Sequence, residues 1–226
     1  MAKKTSSSRK RSRPVSQKKK SMDKNILILA GIAVIIIVAV AGVLLLGSDN
    51  NDNTNSESNG DQIAIIETSE GTIKVDLYED KTPNTVQNFI NYAEDSFYDG
   101  LVFHRVANLD STNPDTHIIQ GGGFYPDGTR KETNDPIDLE IHPDARHIDG
   151  AIAMARTSDP NSATSQFYIC DGPQSFLDDN YAVFGIVTDG MDVVRSIARV
   201  DTTTKNGMQN WPVEDVIINS ITIQYE

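Results

Sequence analysis

The chain has 226 residues, enough for one sizeable domain with appendages. Its formal net charge of -12 is unevenly spread, because residues 1–24 hold ten of the twenty Lys and Arg against a single acid, Asp23. The remainder carries ten basic and thirty-one acidic side chains, which excludes nucleic-acid binding by the main body, since phosphate neutralisation needs a basic face.

In chain order, residues 1–24 read as a basic cytoplasmic tail. From Ile26 to Leu46 the sequence ILILAGIAVIIIVAVAGVLLL contains no charge. A helix of that length rises about 30 Å, the thickness of the hydrocarbon core of a bilayer. A secretory signal would be shorter and end in a small-residue cleavage site, whereas here three leucines run straight into Gly47 and Ser48. Residues 25–47 are therefore expected to form an uncleaved, single-pass transmembrane anchor in the cell membrane. The positive charges before it put the N-terminus in the cytoplasm and the rest outside the cell. Their position beside the span also accounts for them through topology and anionic lipid, without a nucleic acid partner. Residues 48–61 are polar and low in complexity, a flexible linker with a reach on the order of 20 Å.

The folded domain is expected over 62–226. IAIIET, a tight turn at Ser69-Glu70-Gly71-Thr72, and IKVDLY make a β-hairpin. Thr82 stands as the N-cap of a helix with Pro83 in its first turn, and Val86, Phe89, Ile90 and Ala93 share its inward face. Short strand-like runs follow at LVFHRV, HIIQ, GAIAMA, SQFYIC and AVFGIVT. A second helix over 191–199 turns Val194, Ile197 and Ala198 inward, and Ile221, Ile223 and Tyr225 alternate in a closing strand. Many short strands with two helices suggest a mainly β fold, either a closed barrel or a sandwich.

The chemistry is defined first by what is missing. Cys170 is the single cysteine, so neither an intrachain disulfide nor a cysteine-based zinc cluster is possible. No G-x-S-x-G elbow occurs, and His104, His117, His142 and His147 form no H-x-x-x-H or H-E-x-x-H pair. Asp110, Asn113 and Asp115 lack a full calcium-loop pattern. No metal and no cofactor are expected. What remains is a constellation without a nucleophile: an arginine in a strand, glutamines at strand ends, and apolar residues around them.

Its pieces are FHRV (103–106), IIQGGGF (118–124), AMAR (153–156), SQFYIC (165–170) and FLDDNYAVFG (176–185). In this order they resemble the cyclophilin family of peptidyl-prolyl cis-trans isomerases, a likeness that covers residues 62–226. The resemblance implies a closed eight-stranded antiparallel β-barrel capped by two α-helices, here preceded by one N-terminal transmembrane helix. It implies catalysis of X–Pro bond rotation in polypeptide substrates. Arg105 matches the family's catalytic arginine and Gln120 the glutamine that orients it. Ile118, Tyr168 and Leu177 match the proline pocket, Ala155 and Arg156 the ledge alongside the peptide, and Gln166 and Phe176 its rim. His104, beside the arginine, is expected to be a core histidine.

Several positions depart from the family pattern. Fourteen residues, Val106 to Ile119, separate Arg105 from Gln120, a longer connection than the family's. His117 stands where a pocket phenylalanine is usual, Ile118 where methionine is, and Tyr168 where phenylalanine is. Phe176 occupies the family's tryptophan site, so an indole N–H is missing and cyclosporin binding is expected to be weak. Tyr181 replaces a common histidine at the substrate site. The expected protein is a monomer, a membrane-anchored isomerase that assists the folding of exported or surface proteins. The alternatives are a proline-peptide holdase with little turnover and a tethered adhesion barrel without enzymatic activity.

Overall fold

The computed structural model describes residues 61–226; the basic tail, the expected anchor and all but the last residue of the linker lie outside the described residues. Among the described residues, no helix is long and apolar enough to cross a membrane.

The described residues form ten strands and two helices. The strands are β1 (Gln62–Thr68), β2 (Gly71–Leu77), β3 (Phe103–Ala107), β4 (His117–Gly121), β5 (Ala151–Met154), β6 (Phe167–Asp171), β7 (Val183–Asp189), β8 (Thr202–Lys205), β9 (Met208–Pro212) and β10 (Ile218–Tyr225). The helices are α1 (Pro83–Glu94) and α2 (Met191–Ile197), and a short 3-10 turn covers Ser175–Leu177. Eight strands form one antiparallel sheet in the order β10-β1-β2-β7-β5-β6-β4-β3. The expected closed barrel is a half-barrel: its edge strands share no ladder and meet through an isolated bridge, Val102 to Ile217. Three backbone bonds reinforce that seam, Gly100 N–H to Ile218 O (2.9 Å), Ile218 N–H to Leu101 O (2.7 Å) and Phe103 N–H to Val216 O (2.9 Å).

The two helices pack where their apolar stripes predict. Val86, Phe89, Ile90 and Ala93 of α1 are buried, and Phe89 meets Phe167 edge to face at 5.6 Å. In α2, Val194 and Ile197 face inward; the helix ends at Ile197, with Ala198 its buried C-cap residue. The start of α1 differs from expectation. Thr82 makes no capping bond, since its hydroxyl donates to Val183 O at 3.2 Å. The orphan N–H groups of the first turn are met instead by Glu140, far away in sequence. Its carboxylate accepts from Asn84 N–H (3.2 Å) and Thr85 N–H (2.6 Å), and from both of their side chains at 2.6 Å.

The β8–β9 hairpin pairs Thr202 with Pro212 and Lys205 with Met208, outside the main sheet. Asn206 (φ 51) and Gly207 (φ 80) form its turn. An Asn-Gly pair is the strongest short-range hairpin signal, and the two left-handed residues match the twist of the flanking strands.

Candidate active site

Side chains alternate between the two faces of a strand, and that period divides this sheet into two functions. Phe103, Ile119, Ile152, Met154, Phe167 and Ile169 point inward and join α1 in the main core. Ala107, Ile118, Ala151, Ala153, Tyr168 and Cys170 lie on the opposite face and form a second cluster with Leu109, Ala155, Leu177 and Tyr181. The candidate site sits on this outer face.

Strand register brings its members together. Arg105 pairs with Gln120, Gln120 with Tyr168, and Tyr168 with Ala153, so four strands contribute one row. Two residues along lies a second row, Ala107, Ile118 and Cys170. A register shift between Phe103 and Arg105 marks a bulge at His104. Such a bulge re-aims side chains, which is how His104 enters the interior while Arg105 faces out. His104 is 5% exposed and packs its ring 4.7 Å from that of Phe124. Burial lowers its pKa to about 4, so the ring is neutral at physiological pH.

Arg105 is oriented by a relay of amides. Its Nη1 donates to Gln120 Oε1 at 3.2 Å, and Gln120 Nε2 donates to Gln166 Oε1 at 3.1 Å. The glycines after Gln120 keep this relay open. Gly122 has φ +80, a left-handed conformation that glycine adopts without strain, and a Cβ on Gly123 would meet Gln166 Cγ at 2.6 Å. The long connection after Arg105 does not disturb the contact, because it is the tip of the β3–β4 hairpin. That tip is stitched to itself: Asn108 Nδ2 donates to Asn113 O and Thr116 O, both at 2.7 Å, and Thr112 bonds Asp110 through N–H and hydroxyl.

A cavity of about 140 Å³ is lined by Arg105, Leu109, Ile118, Gln120, Ala155, Arg156, Tyr168, Leu177 and Tyr181. Eight of these nine follow from the sequence reading. Leu109 does not, though it is the single large apolar side chain in the otherwise polar hairpin tip, residues 108–116. Arg156 is held over the Tyr181 ring at 4.5 Å while its Nε donates to Asn180 O. A neighbouring cavity of about 190 Å³ shares Gln120, Ala155 and Arg156 and adds Phe124, Arg130, Thr157, Ser162, Thr164 and Gln166.

Gln166 lines the second cavity rather than the first, and two expected site residues line neither. His117 is one residue from Ile118, so alternation turns it away; its Nδ1 lies 3.4 Å from Arg199 Nη1. Phe176 is 54% exposed on the 3-10 turn, while its neighbour Leu177 supplies the wall. Sequence reasoning also missed the support behind Tyr168, whose hydroxyl lies 2.9 Å from Nε2 of buried His147, itself 2.8 Å from Asp178 through Nδ1.

The profile of the family described as "Cyclophilin type peptidyl-prolyl cis-trans isomerase/CLD" matches residues 63–223. Peptidyl-prolyl cis-trans isomerase cyp18 of Streptomyces antibioticus is 42% identical over 166 residues, covering 70% of this chain and 96% of that protein. Peptidyl-prolyl cis-trans isomerase B of Escherichia coli K12 is 41% identical over 164 residues, covering 69% of this chain and 96% of the relative. A crystal structure of a Cryptosporidium parvum cyclophilin type isomerase in the presence of the dipeptide Ala-Pro superposes with a TM-score of 0.62. It is 26% identical, with 73% of this chain and 99% of that one covered. The half-barrel, the ordered blocks around Arg105 and these relatives agree, and the chain belongs to the cyclophilin family of peptidyl-prolyl cis-trans isomerases.

Proposed function

We propose that Arg105 drives X–Pro isomerisation by non-covalent stabilisation of the twisted amide, with the proline ring seated in the cavity formed by Ile118, Tyr168 and Leu177. Rotation about the amide costs about 18–20 kcal/mol because the C–N bond has partial double-bond character. At 90° of twist that character is lost, the nitrogen pyramidalises and a lone pair appears. A fixed donor aimed there binds the transition state more tightly than either planar isomer, which is what catalysis requires. A guanidinium suits the task, being permanently charged, planar and rich in donors. No bond forms or breaks, consistent with a site that holds no activated nucleophile: Cys170 is buried and its thiol is pushed up to about 12.

The observation that carries this reading is the Arg105–Gln120–Gln166 relay beside the cavity that Ile118, Leu177 and the Tyr168 ring line. The Gln120 bond occupies one edge of the guanidinium and leaves the rest of the fork for substrate. Ala155 and Arg156 supply a ledge between the two cavities for the peptide backbone. NMR exchange on an X–Pro peptide, wild type against Arg105→Ala, tests it. The expected result is a fall in kcat/KM of two or more powers of ten. Equal rates for the two proteins would rule out the role of Arg105, and binding without turnover in the wild type would favour a holdase.

The working context follows from the sequence outside the described residues. The charge-free run from Ile26 to Leu46 and the basic segment before it support a single-pass membrane anchor with the isomerase outside the cell, acting on exported or surface proteins. Protease added to intact cells is expected to release the domain; protection of the domain would reverse the orientation.

A further inference from the structure

Tyr168 lines the cavity read above as the proline site, and its ring ends in a buried hydroxyl. That hydroxyl has one hydrogen-bond partner among the described residues, Nε2 of His147 at 2.9 Å. His147 is buried, and three contacts fix it to the segment that carries Leu177. Its Nδ1 and its backbone N–H both meet Asp178 Oδ1, at 2.8 and 2.9 Å, and its carbonyl accepts from Gln174 N–H at 2.8 Å. An ionised carboxylate only accepts, so Nδ1 carries the ring proton and Nε2 offers a lone pair. The Tyr168 hydroxyl therefore donates to His147, and its hydrogen points away from the cavity.

We propose that His147 is a positioning residue that makes the cavity selective for an unsubstituted proline ring over a ring-hydroxylated one, by holding the Tyr168 hydroxyl turned outward and tying Leu177 to the opposite wall. This rests on the reading of the cavity as the proline site. Without the imidazole acceptor the phenol hydrogen has no buried partner, and it turns to the cavity as a donor. A bare proline ring cannot accept it, whereas a 4-hydroxyproline ring can. Selectivity then falls because an unmet buried donor is costly beside an apolar group and satisfied beside a hydroxyl.

The same logic gives a pH signature. Protonation of His147 puts a hydrogen on Nε2, which then donates to the Tyr168 oxygen and displaces the phenol hydrogen. The groups facing the imidazole are Asp178 from the segment after the 3-10 turn, Arg146 from its own loop, and Tyr168 from β6. Tyr181 packs edge-on against Tyr168 at 6.0 Å, beneath the Arg156 guanidinium. Burial pushes the His147 pKa below its ordinary value, more than the Asp178 bond raises it, so the change falls on the acid side of the usual imidazole range.

The experiment measures catalysed exchange of matched Xaa–Pro and Xaa–4-hydroxyproline peptides by NMR on the full chain, each normalised to its uncatalysed rate. Wild type is expected to prefer proline, His147→Leu to lose about fivefold of that preference, and His147→Leu with Tyr168→Phe to regain it. In wild type the preference declines as pH falls below the imidazole range, while in Tyr168→Phe it is flat. A purely structural histidine would lower both substrates together and show no rescue, which overturns the proposal. If His147→Leu folds poorly, the wild-type and Tyr168→Phe pH profiles decide, parallel profiles overturning it. Arg105→Ala run alongside separates the two readings. If that variant is as active as wild type, the site itself is wrongly assigned and the proposal falls with it; if it is slow and rescue is absent, only the role of His147 falls.

Discussion

Gln120→Leu isolates what the amide relay contributes to the arginine. Leucine fills similar space on the outer face of β4 but removes both the acceptor for Arg105 Nη1 (3.2 Å) and the donor to Gln166 (3.1 Å). Hydrogen bonds to charged groups contribute about 1.5–3 kcal/mol. Both distances are at the long end of the normal range and all three side chains are only half-buried, so the lower figure applies. About 1.5 kcal/mol of lost guanidinium orientation, felt mainly in the transition state, corresponds to roughly a tenfold fall in kcat/KM. The loss should appear in kcat with KM little changed, and Gln166→Leu, one bond further away, should cost about two- to threefold. Arg105→Lys keeps the charge but not the planar fork and should be slower than Gln120→Leu. NMR exchange spectroscopy at several substrate concentrations separates the two constants. A Gln120→Leu enzyme within twofold of wild type would refute the relay, as would full activity in Arg105→Lys.

Three further outcomes follow from contacts elsewhere. Glu140→Gln should lower stability by about 1–2 kcal/mol, or roughly 2–4 °C in Tm per kcal/mol, because it weakens the cap on α1. Burial raises the Glu140 pKa, but the bonds from Thr85 and Asn84 hold it below the ordinary carboxylate value; its contribution is therefore full above about 4.5 and lost as pH falls further, a slope Glu140→Gln should flatten. His104, with its pKa lowered from 6.5 to about 4 by burial, makes the unfolded chain bind a proton the native one does not. Denaturant melts should show stability falling between pH 6.5 and 4, with the slope reduced in His104→Phe. Among the described residues Arg105, Arg130 and Arg156 have no carboxylate partner, although five other basic side chains are paired and all three line the two cavities. Peptides with glutamate beside the X–Pro bond should therefore outpace lysine counterparts by about threefold to tenfold at low salt, with the advantage gone near ~1 M salt. Equal rates at both ionic strengths would count against that field.

The sequence by itself determined whatever depends on local period and local chemistry. Val86, Phe89, Ile90 and Ala93 announced the buried stripe of α1 because a helix repeats every 3.6 residues, whereas His117, expected at the pocket beside Ile118, is turned to the other face by the alternation of β4. The β8–β9 hairpin was not among the expected elements, although the Asn206-Gly207 pair that forms its turn is a local signal for two residues at positive φ. FHRV, IIQGGGF and SQFYIC were legible as site blocks through their resemblance, in this order, to the family's motifs rather than through their period. Only the tertiary structure decided which residues from distant segments meet. Glu140, not Thr82, caps α1, because Thr82 is drawn to Val183 across the fold and a carboxylate from another loop fills the vacancy. Leu109 joins the cavity because the hairpin tip folds over it, and Phe176 leaves it because the 3-10 turn presents Leu177 instead. His147 and Asp178, thirty-one residues apart, converge on Tyr168. Periodicity is written in the order of the side chains, whereas a hydrogen bond between two loops depends on where the packed core happens to leave them.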